Sequence, residues 1–296
     1  KCSLMTPSDG LDVSMREVGL VPCFLPAIPD DPYIISSTPG LYPDPLLPMN
    51  DGYINLSRRN WHAIWISIKI ADNCNAGVHG LTFGLTGIEL WGKADDETAS
   101  ISLKVIPARL PKQKLIQTNW FHADCIWTYY KIPCWSEEHW RILEKYFANM
   151  VSHGINMLLT PLWTLPLDTA EGSERPTTQL LEIELKNGKY SFDFSRLERW
   201  IDTALKCGIE YFEMSHAFTQ WGAAFTPKIM VRENGVEKRM FGWDAPADSP
   251  EYRNFLNALI PELIGLFDKK ELQGKCFFHV SDEPAQTQIE SYGKAS

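Results

Sequence analysis

The chain has 296 residues, of which 44% are hydrophobic and 22% charged, and its formal net charge at pH 7 is −9. This composition is typical of a globular protein of about two domains, and no apolar run reaches the roughly 18 residues that a membrane span needs. The acidic balance excludes a nucleic-acid partner, because phosphate binding depends on clustered Lys and Arg. A neutral or weakly charged substrate fits this composition better.

Cysteine usage gives no sign of a metal site or a disulfide framework. The seven cysteines are odd in number and show neither CxxC nor Cys/His metal-ligand spacing. We therefore expect free thiols, no metal and no cofactor. The sequence begins at Lys1 without a visible leader, and cytoplasmic and secreted bacterial locations both stay open.

The N-terminal part of the chain predicts an all-β domain over residues 1–113. Its first 50 or so residues are rich in proline, and we expect them to be irregular, extended over a surface or folded into turns. Apolar residues then alternate with polar ones in Ile64–Ile70 and Ile101–Val105. Because this period of two is typical of half-buried antiparallel strands, residues of about 30 to 112 predict a β-sandwich.

From residue 115 onward, helical and strand-like segments alternate. The first predicted helix lies between Ser136 and Gly154, the second carries Leu197, Ile201, Ala204 and Leu205 on its apolar face and ends at Gly208, and the third runs from Ser249-Pro250 to Gly274. Short apolar strands are predicted around residues 120–124, 155–160, 209–214 and 275–280.

Four such βα repeats predict a parallel sheet covered by helices. The fold class is therefore α/β with an all-β N-terminal domain: a β-sandwich, then residues 114–296 as the first four βα units of a (β/α)₈ TIM-type barrel. An open doubly wound sheet is disfavoured, since no Gly-rich phosphate turn follows a strand. The remaining half of the barrel is expected in the full-length chain. Half a barrel leaves a strand edge bare, which predicts association, for example as a homo-oligomer.

Two adjacent carboxylates, Asp282 and Glu283, end the fourth predicted strand. A negative Asp282 favours the protonated form of Glu283, and a neutral carboxylic acid can protonate a departing glycosidic oxygen. The other reading is that Asp-Glu-Pro opens a helix, because acids in the first turn and Pro at N1 are both favoured there. The position at the carboxyl end of a barrel strand favours catalysis.

Motifs spread over nearly the whole chain carry a family resemblance. They are Pro39-Gly40-Leu41-Tyr42-Pro43-Asp44-Pro45-Leu46-Leu47-Pro48, Trp120-Phe121-His122-Ala123-Asp124, Thr160-Pro161-Leu162, Pro166-Leu167-Asp168-Thr169, Phe218-Thr219-Gln220-Trp221-Gly222-Ala223 and Ser281-Asp282-Glu283-Pro284. Together they are similar to glycoside hydrolase family 123, β-N-acetylgalactosaminidase-like enzymes with a β-sandwich before a TIM barrel.

The resemblance implies a retaining, substrate-assisted hydrolysis of a β-linked N-acetylhexosamine, foremost N-acetylgalactosamine, in a carbohydrate or glycoconjugate. The 2-acetamido carbonyl oxygen would attack the anomeric carbon and form an oxazolinium intermediate. Asp282 would accept the acetamide N–H and stabilise the developing charge, and Glu283 would be the general acid and then the general base.

Seven other residues follow the predicted strands and are candidates for substrate binding. Polar groups come from His122, Asp124, Asp168, His216 and Gln220, and aromatic stacking surfaces from Trp163 and Trp221. His122 and Asp124 have the alternative of hydrogen-bonding only to each other. His279, inside the last strand, is expected to be a satisfied core histidine.

Two alternatives stay open at this point. In a two-carboxylate retaining glycosidase, Glu283 would be the acid/base and a nucleophile would come from a later strand. A non-catalytic carbohydrate-binding protein would keep the scaffold alone, although such a protein has little use for two adjacent acids at a strand end.

Overall fold

The computed structural model describes residues 1–6, 9–24, 32–54, 61–87, 96–220, 222–282 and 284–295. The chain divides into two compact units, Lys1–Pro111 and Lys112–Ser296. Among the residues that the structure describes, no helix combines the length and the apolar character needed to cross a membrane.

The described part of the first unit is built from antiparallel strands. They are β1 (Cys2–Leu4), β2 (Leu11–Cys23), β3 (Gly40–Pro48), β4 (Ile64–Ile70), β5 (Gly77–Thr86) and β6 (Asp96–Val105). They form two three-stranded sheets in the orders β1-β5-β6 and β3-β2-β4. The two segments with period-two alternation lie in β4 and β6, as their pattern predicts.

The prediction of an irregular proline-rich segment is wrong for β2 and β3. Half-buried and exposed residues alternate along the first part of β2, where Leu11, Val13 and Met15 face inward. Strand β3 contains Pro43 and Pro45 yet pairs with β2 along its length. It can do so because β3 is an edge strand, where one row of backbone groups needs no ladder partner and a missing N–H is tolerated.

The second unit alternates helices and strands. Its elements are α1 (Ala123–Tyr130), α2 (Glu137–Ser152), β7 (Met157–Thr160), β8 (Glu182–Lys186), β9 (Lys189–Asp193), α3 (Ser195–Cys207), β10 (Tyr211–Met214), β11 (Ile229–Glu233), β12 (Val236–Phe241), α4 (Pro250–Lys269), β13 (Cys276–Phe277) and α5 (Ile289–Ala295).

Local chemistry explains where the three predicted helices begin and end. The Ser136 and Ser249 hydroxyls accept backbone N–H groups of the first turns of α2 and α4. Gly208 adopts a left-handed conformation after α3. Helix α4 ends at Lys269 rather than near Gly274, because Glu271 already has a positive φ of 56°.

The apolar face predicted for α3 is largely confirmed. Leu197, Ile201 and Ala204 are each 0% exposed. Leu205 is an exception, with 37% of its surface exposed, because it lies at the margin of the helical stripe and Trp200 fills the buried position instead.

A parallel sheet in chain order holds the candidate site. Strands β7, β10 and β13 are parallel neighbours, with Phe212 paired to both Leu158 and Cys276. Thr118 continues the order through a parallel bridge to Met157. The strand predicted at residues 120–124 is wrong: helix α1 begins at Ala123, with Asp124 in its first turn, where a carboxylate suits the helix dipole.

A second sheet in this unit was not predicted. Strands β8 and β9 form one hairpin and β11 and β12 another, and they join in the mixed order β12-β11-β8-β9. The first hairpin lies in the connection after β7 and the second in the connection after β10. Part of the length of these two connections is therefore taken up by this sheet.

Candidate active site

The site lies where the chain leaves the parallel strands at their carboxyl ends. Backbone hydrogen bonds extend the pairing past the strands: Ala217 N–H donates to the His279 carbonyl at 2.9 Å, and Phe218 N–H to the Val280 carbonyl at 3.0 Å. This pairing brings His216 next to His279 and Gln220 next to Asp282. It joins residues that are more than sixty positions apart in the sequence.

Asp282 is held by an amide from the neighbouring strand end. The Gln220 Nε2 donates to Asp282 Oδ2 at 3.0 Å, and the Ser281 hydroxyl donates to the Thr219 carbonyl at 2.7 Å. Asp282 is half-buried while Gln220 is only 9% exposed. The Gln220 amide therefore orients the Asp282 carboxylate, and part of the Asp282 side chain stays accessible to solvent. Glu283 and Trp221 lie outside the described residues.

Among the described acids of the site, Glu213 receives the most hydrogen bonds. Its Oε1 receives a hydrogen bond from His279 Nδ1 at 3.1 Å, and its Oε2 receives one from Trp120 Nε1 at 2.9 Å and one from Thr118 Oγ1 at 3.4 Å. Burial raises the pKa of Glu213, but the hydrogen bonds from His279 and Trp120 outweigh it and lower the pKa below its ordinary value. Glu213 is consequently an ionised, buried carboxylate.

His216 is completely buried beside this acid. Its ring centroid lies 4.1 Å from that of His279 and 5.2 Å from that of Trp120. Neither ring nitrogen has a hydrogen-bond partner among the described residues. Burial, followed by the neighbouring His279, lowers the pKa of His216 to about 4. The imidazole is neutral near pH 7 and has a free lone pair.

His122 and Asp168 form a second polar pair. His122 Nε2 lies 2.5 Å from Asp168 Oδ2, and the histidine side chain is 10% exposed while that of the aspartate is 66% exposed. Asp168 has a positive φ of 55°. Both residues thus come together as neighbours, with one carboxylate side open to solvent.

Two of the predicted substrate-binding residues have structural partners instead. Asp124 forms an ion pair with Arg175 at 2.9 Å, and both side chains are largely buried. Asp124 is therefore neither at a strand end nor bonded to His122. Trp163 is 3% exposed, packs against Phe255 and donates to the His216 carbonyl at 2.9 Å. A stacking role conflicts with this burial, since neither ring face is open.

Two site residues escaped the sequence analysis. His279 is not a satisfied core residue: its side chain is 39% exposed and pairs with Glu213. Glu213 was overlooked inside strand β10, although a lone acid within the apolar run Tyr211–Met214 is costly to bury unless it has a role or a partner. That isolated acid was the signal that could have identified it.

The arrangement supplies two kinds of chemistry. Asp282 can accept a hydrogen bond from a substrate N–H or stabilise a developing positive charge. Glu213, His216 and His279 each offer a ligand atom, and these atoms lie within 4.8 Å of one another, so this group could hold a metal ion. Among the described residues, one cavity of about 470 Å³ is lined by the mixed sheet, and another of about 510 Å³ is lined by residues that include Phe218 and Ser291.

Two comparisons with known proteins return matches. The model of the glycoside hydrolase 123 catalytic domain matches residues 120–296. A solved family 123 glycoside hydrolase from Clostridium perfringens, studied for glycolipid glycan hydrolysis, superposes with a TM-score of 0.69 at 16% identity. The match covers 96% of this chain and 48% of that one, so the chain spans about half the length of this relative. No curated protein sequence matches the chain significantly.

Proposed function

The chain belongs to glycoside hydrolase family 123, and from this premise we propose that it contributes the catalytic pair of a glycosidase acting on β-linked N-acetylhexosamine, foremost N-acetylgalactosamine. The observation that carries the proposal is the position of Asp282. It follows the fourth parallel segment, directly precedes Glu283 in the sequence, and is oriented by Gln220.

Asp282 would act on the 2-acetamido group of the substrate. One of its oxygens accepts the Gln220 amide, which leaves the other free to accept the acetamide N–H. Holding the amide in this way directs its carbonyl oxygen at the anomeric carbon. The C–O bond to the leaving group breaks as the new C–O bond of the oxazolinium forms, and the negative Asp282 stabilises the positive charge on that ring.

Glu283 would handle the protons of the reaction. It first donates a proton to the departing glycosidic oxygen, and then removes one from the water that opens the oxazolinium, so that the configuration at the anomeric carbon is retained. Adjacency serves this division of labour, because the acetamide and the leaving oxygen lie on neighbouring atoms of the same sugar ring. No protein nucleophile is needed.

Further residues would recognise the sugar. Asp168 keeps an open carboxylate side toward solvent, with His122 fixing its other side, and the pair is suited to hydroxyl groups. Trp221 supplies the stacking surface in this proposal. Gln220 would act through Asp282, and His216, which is 0% exposed, would act without direct contact with the sugar.

The architecture we propose is the one that the resemblance implies. The two antiparallel sheets of the first unit would be a β-sandwich, and the parallel segments of the second the first half of a (β/α)₈ barrel. The remaining strands would close the site and complete the cage around the sugar. The Clostridium perfringens relative was studied for glycolipid glycan hydrolysis, so glycans of glycolipids are the glycoconjugates to test first.

The test uses the full-length gene product that contains these residues. It compares the 4-nitrophenyl β-glycosides of N-acetylgalactosamine, N-acetylglucosamine and galactose. A 2-acetamido substrate should exceed the 2-hydroxy one in kcat/KM by more than about 100-fold, because the nucleophile is missing from the latter. A thiazoline mimic of the oxazolinium should inhibit.

Two outcomes would replace the proposal. Comparable hydrolysis of the 2-hydroxy glycoside, without thiazoline inhibition, would favour the two-carboxylate mechanism. Binding of N-acetylgalactosamine without hydrolysis of any glycoside would favour a carbohydrate-binding protein.

A further inference from the structure

Three potential metal ligands converge at the carboxyl ends of strands β10 and β13. Glu213, His216 and His279 each offer one ligand atom within 4.8 Å of the other two. The shortest of the resolved separations joins Glu213 Oε1 and His279 Nδ1 at 3.1 Å. In a tetrahedral site with metal–ligand bonds of about 2.0–2.1 Å, ligand atoms are about 3.4 Å apart. The widest separation would therefore have to shorten by at most about 1.4 Å to close the group around an ion.

The group contains a buried side chain that nothing described satisfies. His216 is 0% exposed, and both its ring nitrogens lack a hydrogen-bond partner among the described residues. Buried polar atoms without partners cost free energy and call for an explanation such as a missing ion. The pair of Glu213 and His279 alone leaves both His216 ring nitrogens without a partner. An ion bound by all three residues would give one of these two nitrogens a partner.

Glu213 has the hydrogen-bond partners that a metal-ligating carboxylate usually has. Trp120 Nε1 and Thr118 Oγ1 both donate to Oε2, which fixes the carboxylate and directs Oε1 toward the histidines. Hydrogen bonds of this kind orient the ligands of metal sites and raise their affinity. His279 is 39% exposed, so an ion and a water ligand have a way in from the solvent.

The ligand types select a class of ion. Two imidazoles and one carboxylate suit zinc and other divalent first-row transition ions, whereas calcium and magnesium prefer all-oxygen sites. We propose that Glu213, His216 and His279 form a binding site for a divalent transition ion, represented by Zn²⁺, with a fourth position open to water. The site is separate from the role assigned to Asp282 and does not depend on glycosidase activity.

The experiment titrates the metal-stripped, full-length gene product with Zn²⁺ by calorimetry, after exposed thiols such as Cys23 and Cys125 have been alkylated. We expect one ion per chain and a rise in Tm on binding. Glu213→Gln, His216→Gln and His279→Gln should each weaken binding by more than the roughly 10- to 100-fold typical of losing an outer partner. His153→Gln, at an exposed histidine at the end of α2, is the matched control and should bind like the parent.

A measurement on the unaltered protein keeps the proposal falsifiable if a variant fails to fold. The ring ¹⁵N signals of His216 and His279 should shift together on adding one equivalent of Zn²⁺, and Co²⁺ should give the absorption of a site without thiolate ligands. No binding, binding that all three variants retain, thiolate charge-transfer bands, or histidine signals that move only when N-acetylgalactosamine is added would each overturn the proposal.

Discussion

At the scale of single residues, Gln220 is the group that positions the Asp282 carboxylate. Replacing it in Gln220→Leu removes the donated hydrogen bond at 3.0 Å while keeping similar volume. Because hydrogen bonds to charged groups contribute about 1.5–3 kcal/mol, kcat/KM on an N-acetylhexosamine glycoside should fall by about 10- to 100-fold. The control Gln273→Leu changes an exposed glutamine that contacts Asp268 and should leave kcat/KM unchanged. If Gln220→Leu and Gln273→Leu had the same kcat/KM, the hydrogen bond from Gln220 would not be needed to orient Asp282.

His139 makes a second prediction at this scale. The Trp135 N–H donates to its Nδ1, so Nε2 carries the proton and faces the Ala123 carbonyl. Burial lowers the pKa of His139 below that of the unfolded chain, which is about 6.5. The unfolded state then binds more protons below that pH, and stability falls as the pH drops through it.

Urea unfolding at pH 7.5 and at pH 5.5 measures this effect. The free energy of unfolding should decrease more for the parent than for His139→Gln, by at most about 1.4 kcal/mol per pH unit for one proton. The exposed control His153→Gln should follow the parent. If His139→Gln shows the parent's dependence on pH, this histidine is not a source of acid sensitivity.

Individual residues could be predicted where the signal is local. Ser136, Ser249 and Gly208 mark helix ends by their own backbone and side-chain preferences, and the structure has them there. The cluster of Glu213 with His279 could not be found in this way, because its members are 66 positions apart and meet only through strand pairing. Trp163 is the opposite case. Its position after a strand predicted a stacking surface for substrate, but the side chain is buried in the core.

At the scale of elements, two glycines in helical regions differ both in backbone conformation and in the space around an added Cβ. Gly208 has a φ of 104°, and an added Cβ would lie 3.1 Å from Val151 Cγ1. Gly265 lies inside α4 on its exposed side with nothing within 4 Å of an added Cβ. Gly208→Ala should therefore destabilise the protein by about 1–2 kcal/mol, and Gly265→Ala should stabilise it by about 0.5–1 kcal/mol.

Urea unfolding of the two variants beside the parent tests this pair. Changes of the same sign would contradict the helix boundaries described for α3 and α4. Both variants add one methyl group, so the difference between them reflects the positive φ of Gly208 and its contact with Val151 rather than the change in hydrophobicity.

The unpredicted mixed sheet had a readable signal. Asn187-Gly188 and Asn234-Gly235 have positive φ at both positions and connect β8 to β9 and β11 to β12. Asn-Gly between strands is a strong hairpin signal, since both residues tolerate the left-handed region that a tight turn requires. Pairing of the two hairpins with each other is different, because it depends on distant segments that no local pattern identifies.

At the scale of the whole molecule, the order of the parallel strands follows from the alternation of helices and strands, and family membership follows from motifs spread along the chain. Strand β2 had a local signal in the alternation of Leu11, Val13 and Met15, whereas strand β3 and the helix in place of the first strand had no comparable pattern. The catalytic assignment to Asp282 and Glu283 is the claim on which the account of function depends.

That claim is tested most directly by kcat/KM of Glu283→Gln and Asp282→Asn, measured in the full-length gene product on an activated aryl 2-acetamido-2-deoxy-β-glycoside and on a natural disaccharide. Loss of the general acid should cost about 10²- to 10⁴-fold on the disaccharide and little on the aryl glycoside, whose departure needs little protonation. Asp282→Asn removes the negative charge that stabilises the oxazolinium, so kcat/KM should fall by a similar factor on both substrates. If both variants lost the same factor on both substrates, the substrate-assisted assignment would be contradicted.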